Sequence, residues 1–299
     1  MAYTEIKERN GRKYFYRVLS VREGDKVNKI RKYLGVNLDS KELHDLEEKA
    51  DKMKKLILRA VKKLEKEYDV KILWAIESGS RAWGFASEDS DYDVRCVHVA
   101  KLDNYLGLYQ IPQQINLSKD DIDLESWDIK KFAELSIKSN PQIAEWLRSP
   151  IIYINSSIRS RLRSFFDNGC SLEFLKQHYL RMAKQNYHKY MSIGMSHSCK
   201  KYLYVLRAIA CASYIEKENK LPPLPYKQII NHLPEYVRDF FEKCVIEKNR
   251  TEKATILANE RVSHFIDYSL NKSFGKVNTN FINTDGLNKF LIKTIKNNR

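Results

Sequence analysis

Apolar and polar positions along this chain switch between a period of two and a period of about 3.6. The switches mark its elements. In GRKYFYRVLSVREGDKVNKIRKYLG, aromatic and β-branched residues flank a Glu23-Gly24-Asp25 turn. That predicts a β-hairpin with room for a third strand. Leu43, Leu46, Ala50, Met53, Ile57, Ala60 or Val61, and Leu64 then recur at three- and four-residue spacing. This is the stripe of one long amphipathic helix, opened by Asp39 or Ser40 and ending near Tyr68. It spans about three heptads, so packing on the sheet that follows is expected over a coiled-coil dimer. Ile72 to Ile76 is an apolar run of strand length, broken by Gly79-Ser80, and Tyr92 to Val99 is a second strand. Lys101 to Asp121 reads as a polar connection, with Tyr105, Leu108 and Tyr109 in a loop near the substrate. Ile122-Asp123-Leu124-Glu125 alternates like a strand with one wet face, and Asp128 caps a helix over Ile129 to Lys138. From Ile151 onward the period is helical: Ile158 to Phe166, Leu172 to Met191, Lys200 to Asn219, Tyr226 to His232 and Glu235 to Leu270. Pro222, Pro223 and Pro225 interrupt that run.

Charge changes the picture more than composition does. With 43% hydrophobic residues the 299-residue chain can bury a core. Lys and Arg number 53 against 38 Asp and Glu, a net charge of +15. Such a balance favours a polyanionic partner, nucleic acid before an anionic membrane surface. Basic side chains interleave with Tyr14, Phe15, Tyr16 and Tyr33 in the hairpin, a pattern suited to phosphate contacts and base stacking, or to an edge kept soluble by charge. No leader-like stretch or long apolar span appears, so a soluble, cytoplasmic protein without membrane association is expected. The five cysteines are scattered without a CxxC pair, which argues against a disulfide framework or zinc site. His197 and Cys199 are too few to hold a metal.

The chemistry concentrates between the first two strands of the central stretch. Gly79 lets backbone amides approach an anion, Ser80 adds a hydroxyl, and a helix opening near Arg81-Ala82-Trp83 would aim its N–H groups there. Asp91 and Asp93, two apart at the head of a strand, share a face and repel each other unless a cation intervenes. Oxygen-rich sites of this kind suit magnesium or manganese. Either dipeptide alone is weak. GS after one apolar strand and DxD opening the next, ten residues on, is a far stronger signal.

The pattern G-S-x10-D-x-D resembles the signature of the DNA polymerase β-like nucleotidyltransferases. The wider string SGSRAWGFASEDSDYDVR resembles more specifically the RNA repair pathway group, RlaP, and its YcgL-type relatives. The similarity runs on from Asp123 to Pro150 and, more faintly, to about Pro225. It implies an α+β fold with a mixed catalytic sheet and helices over 38–150, which the residue pattern reads as preceded by a basic hairpin unit over 1–37. A helical domain over 151–275 and a basic tail over 276–299 would follow, the tail's last few residues frayed. It implies a two-metal nucleotidyltransferase in which Asp91, Asp93 and a third carboxylate bind magnesium or manganese. Asp123 fits the third position, with Glu125 on the same face as the alternative. Gly79 and Ser80 would hold the triphosphate. Arg81 would neutralise the leaving pyrophosphate, unless Arg81 or Arg95 instead holds a carboxylate in place. A helix carrying Lys201, Tyr204 and Arg207 would bring cations to the triphosphate and a ring to the base.

The acceptor is open at this point. An RNA end is favoured by the charge, the hairpin and the resemblance. A protein hydroxyl receiving AMP is the alternative, and a non-catalytic RNA-binding role a further one. The spacing of Arg181 and His188, R-x6-H on a helix, is similar to a ribonuclease motif and is weak by itself.

Overall fold

The computed structural model of the protein describes residues 2–9, 11–23, 26–108, 111–191, 196–271 and 282–298. Of residues 2, 9, 12, 17, 19–23, 26–35 and 191 the backbone alone is described. Contacts divide the chain into two compact units, residues 1–68 and 69–299.

The first unit opens with strands β1 (Ala2–Arg9), β2 (Arg12–Glu23) and β3 (Lys26–Val36), paired antiparallel with β2 in the centre. The third strand is therefore present. The turn at Gly24-Asp25 and most of the basic side chains around it lie outside the described residues. Helix α1 (Ser40–Tyr68) follows. Asp39 caps it: its Oδ1 accepts from the amides of Lys41 and Glu42, both at 2.8 Å. The Glu42 carboxylate returns to the Asp39 amide at 3.0 Å. This reciprocal box satisfies donors that would otherwise be orphaned. Ile57, Val61 and Leu64 are its buried residues.

The second unit is built on a five-stranded mixed sheet in the order β6-β7-β5-β4-β8. Strand β4 (Val70–Glu77) leads through a single helical turn, α2 (Gly79–Trp83), to β5 (Tyr92–Ala100). A short helix α3 (Leu102–Leu106) precedes the hairpin of β6 (Gln114–Lys119) and β7 (Ile122–Asp128). Strand β7 runs parallel to β5, whereas β4 pairs antiparallel with β5. Helices α4 (Ile129–Ile137) and α5 (Pro141–Arg148) start at the side chains of Asp128 and Asn140, each accepting an amide two residues on at 2.8 Å. Strand β8 (Ile152–Ile154) closes the far edge against β4. The core is apolar on both faces, with Trp74, Ile76, Val94, Cys96, Val97 and Leu124 buried.

Helices α6 (Ser157–Gly169), α7 (Leu172–Met191), α8 (Cys199–Glu218), α9 (Tyr226–Ile229) and α10 (Glu235–Arg250) carry the chain onward. Strands β9 (Ser196–Ser198) and β10 (Thr255–Leu257) pair with each other, and helices α11 (Glu260–Leu270) and α12 (Thr284–Lys296) complete the order. Tyr202, Leu203, Val205, Leu206, Ile209 and Ile215 of α8 are all buried, so this helix forms the helical core.

Four sequence expectations need correction. Lys101–Asp121 contains α3 and the edge strand β6; Ile115 is the buried residue of β6, so backbone pairing rather than an apolar pattern holds it. The stretch after Ile151 begins with β8 rather than a helix. Glu235 to Leu270 is not one helix: Thr251 is extended, and Ala254 accepts the Cys199 amide beside β9 and β10. Phe281 lies outside the described residues. The expected frayed end is tied down as far as Asn298, whose side-chain amide donates to the Val99 and Ala100 carbonyls. Among the described residues no helix is long and apolar enough to cross a membrane.

Candidate active site

The site grows from the turn after β4. Ser78 is extended, and its amide donates to the Asp93 carbonyl at 2.8 Å. Gly79 then takes a positive φ of +58°, which a side chain rarely allows. A Cβ there would lie 1.9 Å from Asp93 Oδ2. The glycine is therefore what lets the Asp93 carboxylate rest against the turn. Ser80 is buried, and its carbonyl accepts from Gly84 and Phe85. The expected helix opening is only the five residues of α2, starting at Gly79.

Strand register supplies the second carboxylate. In the parallel pairing of β5 with β7, Asp93 stands opposite Asp123, and Arg95 opposite Glu125. Arg95 Nη2 lies 2.9 Å from both Asp93 Oδ1 and Asp123 Oδ2. Its Nε is 3.5 Å from Glu125, which also accepts the Trp127 indole N–H at 2.7 Å. Burial raises the Asp93 pKa, while Arg95 and, more weakly, Lys200 work the other way. Asp91 is exposed at the strand head, near enough for its charge to reach Asp93 and Lys200. Of the two arginines weighed from sequence, Arg95 is the one on the carboxylates. Arg81 instead braces the loop, donating to the Ser90 and Asp91 carbonyls with its guanidinium 3.8 Å above the Tyr92 ring.

Beneath the turn lies Glu77, fully buried, a residue that sequence reasoning missed. Its carboxylate accepts the Asp93 amide at 2.9 Å and the Tyr153 hydroxyl. Burial pushes its pKa up to about 7 despite those bonds. Glu77 ties β4, β5 and β8 together at the end of the sheet that carries the DxD acids.

The helical side places its residues differently from the sequence expectation. Lys201 lies over the Tyr190 ring at 3.7 Å. Arg207 is buried, 2.9 Å from Glu145 and 4.2 Å above Trp83. Trp83 Nε1 and the Tyr179 hydroxyl complete the shell of Glu145 at 2.9 and 3.3 Å. The Arg207 guanidinium is thus neutralised within the core. Tyr204 packs edge-on against Trp83, and burial lifts its hydroxyl to about 12, with Lys200 and Asp93 as charged neighbours. The α8 lysine whose charge reaches Asp91 and Asp93 is Lys200, one position from the expected lysine.

Lys200 is held by Glu252 at 2.7 Å. Glu252 also accepts from Ser87, Ser90 and the fully buried Lys248, and its amide donates to Asp89. Burial would raise the Glu252 pKa, but the two lysines and Ser87 pull it down to about 2. One carboxylate therefore both steadies the loop between GS and DxD and aims Lys200. The i,i+4 spacing of Lys248 and Glu252 is visible in sequence, but such pairs on solvated helix faces are common. Arg181 is exposed and bonded to Gln177.

Among the described residues no three carboxylate, histidine or cysteine side chains form a ready cage for a metal. Magnesium, however, is commonly held by one or two carboxylates together with substrate phosphates and water. The exposed Asp91 and the half-buried Asp93 fit that requirement. Asp123 fits as a third donor whose present cation is Arg95.

The sequence model of the RNA repair pathway DNA polymerase beta family, RlaP, matches residues 53–293. The chain belongs to this family. The match takes in every candidate residue above. YcgL of Bacillus subtilis (strain 168) is 37% identical over 226 residues, covering 74% of this chain and 86% of that protein. A crystal structure of a nucleotidyltransferase-like protein from Exiguobacterium sibiricum aligns over 79% of this chain and 74% of that one, at 11% identity and a TM-score of 0.28. As a member of the RlaP family the protein is a nucleotidyltransferase in kind, with an α+β fold.

Proposed function

We propose that the protein transfers a nucleoside monophosphate from a nucleoside triphosphate to a hydroxyl at an RNA end. The observation that carries this is the register of β5 with β7, which sets Asp93 opposite Asp123 while Gly79 packs onto Asp93. The Gly79-Ser80 turn receives the triphosphate through its backbone. Lys200, aimed by Glu252, neutralises phosphate charge, and Tyr204 shapes the pocket beside it. Asp91 and Asp93 would hold magnesium or manganese, with Asp123 completing the set once Arg95 shifts to the incoming phosphates. The metal, when bound, supplies charge neutralisation and activation of the hydroxyl. The acceptor oxygen attacks the α-phosphorus in line. The bond to the β-phosphate oxygen breaks, pyrophosphate leaves, and Asp123 takes the proton of the attacking hydroxyl. The family description and the +15 charge favour RNA as the acceptor.

The test is incubation with each α-labelled nucleoside triphosphate, magnesium or manganese, and total RNA beside lysate protein. Label in RNA, abolished by Asp93→Asn, is expected. Label confined to a protein band would transfer the acceptor role to a protein hydroxyl. No label in either would overturn the reading.

A further inference from the structure

At the opposite end of the sheet from the carboxylates lies a cavity of 890 Å³, within the size range of ligand sites. Its floor is the end of β4 and β5, where Lys71 and Val99 are register partners. Its walls are α6 and α12. Four exposed cations line it: Lys71, Arg161, Lys289 and Lys293. Among the described lining residues there is no carboxylate. Lys289 and Lys293 stand four apart on α12, a like-charge pair that costs helix stability unless an anion lies across it. Between the cations are two half-buried rings, Phe165 and Phe290, with centroids 6.0 Å apart. The Arg161 guanidinium lies 5.1 Å from the Phe165 centroid. Asn298 anchors the end of α12 to the strand ends, so the wall is attached to the floor.

Cations that track a phosphate backbone, with aromatic faces between them, are the elements of a single-strand site. We infer that this groove binds single-stranded RNA: the acceptor strand upstream of the end that reacts at Asp93. The inference rests on the proposed function for its choice of RNA. Charge complementarity selects a polyanion, and the rings select one with stackable bases. Six residues of β5 separate Asp93 from Val99, a span of about 20 Å at ~3.3 Å per residue. At ~3.4 Å per stacked nucleotide, an RNA reaching both places needs about six nucleotides or more.

The experiment uses the full chain and labelled oligoribonucleotides of about four and about twelve nucleotides, bracketing that span. Binding is followed across a salt series, alongside transfer and binding of the nucleoside triphosphate. For Lys289→Glu/Lys293→Glu, expected results are an affinity for the longer oligomer at least about tenfold lower and a salt slope reduced by roughly 1.4, two phosphate contacts at ~0.7 each. Triphosphate binding and transfer to the short oligomer should be unchanged. Phe290→Ala should weaken RNA about fivefold or more through lost stacking while leaving inorganic polyphosphate binding unchanged. Wild-type affinity and slope in the lysine variant would overturn the groove as an RNA site. So would equal losses for RNA and polyphosphate in Phe290→Ala, which would indicate a site for anions in general. Groove-dependent RNA binding without nucleotide transfer would uphold the groove and sink the catalytic reading instead.

Discussion

Arg207 is the sharpest place to test the assembly of this molecule, since sequence places it on the triphosphate and structure places it in the core. Its guanidinium meets Glu145 at 2.9 Å with both side chains almost wholly buried. Arg207→Met leaves the Glu145 charge in a dry environment, which typically costs about 3–5 kcal/mol. Trp83 and Tyr179 still donate to Glu145, so the lower end, about 3 kcal/mol, is expected. At roughly 2–4 °C per kcal/mol for a chain of this class, the melting temperature should drop on the order of 10 °C. Adding Glu145→Gln removes the stranded charge, keeps an acceptor oxygen for the Trp83 N–H and turns an amide N–H toward the Tyr179 hydroxyl oxygen. The double variant should recover to within about 1 kcal/mol of wild type, as apolar replacements of buried pairs commonly do. The Arg207 Nε already lacks a hydrogen-bond partner, so little is lost with it. Urea midpoints of the wild type, both single variants and the double variant measure the coupling directly. A single variant of wild-type stability whose KM for the nucleoside triphosphate rises tenfold or more would refute this and return Arg207 to the substrate.

Gly79→Ala should lower transfer by about a hundredfold, because displacing Asp93 by about an ångström misaligns the reaction. The strained φ should cost stability only about 1–2 kcal/mol, so a folded variant with full activity would contradict the packing of Gly79 on Asp93. Glu77 has a pKa of about 7 in the fold against an ordinary 4.5, so the folded state holds a proton that the unfolded chain releases between those values. Its contribution is present below pH 4.5 and lost as pH rises through 7, a fall of up to about 3 kcal/mol at ~1.4 kcal/mol per factor of ten in proton affinity. Glu77→Gln should flatten that slope in urea midpoints taken at acid and neutral pH; an unchanged slope would assign it elsewhere. Lys200→Met should raise KM for the triphosphate about tenfold or more with little change in melting temperature. Glu252→Gln should raise that KM as well, but it also strips the buried Lys248 of its counter-charge, so the melting temperature should fall and the 84–91 loop should loosen, read as faster amide exchange at Ser87 and Ser90; normal kinetics in both variants would remove Lys200 from the site.

The strands, the long helix α1 and the GS and DxD positions were legible because each is a local pattern. Period-two runs, a period-3.6 stripe and turn glycines express backbone preferences that hold before any long-range contact forms. The edge strand β6 and the short strands β8, β9 and β10 were not legible. Strands β8, β9 and β10 are held by backbone pairing with distant segments and β6 by a tight hairpin to β7, and all four bury few side chains of their own. Site chemistry divides along the same line. The carboxylates Asp91 and Asp93, and Asp123 as partner on a neighbouring strand, were open to sequence reasoning. Which arginine meets them, and which lysine faces them, was not. Lys200 and Lys201 are adjacent in sequence but about 100° apart around α8, and helix rotation alone decides that Glu252 receives one while Tyr190 receives the other. Arg207 was misplaced for a related reason: spacing locates a cation on a helix but cannot show that a buried glutamate from α5 waits opposite it. The sequence by itself determined the local elements and the residue types of the candidate site. Only the tertiary structure decided the pairing of charges, because ion pairs form between segments far apart in the chain and depend on distances that no local pattern encodes.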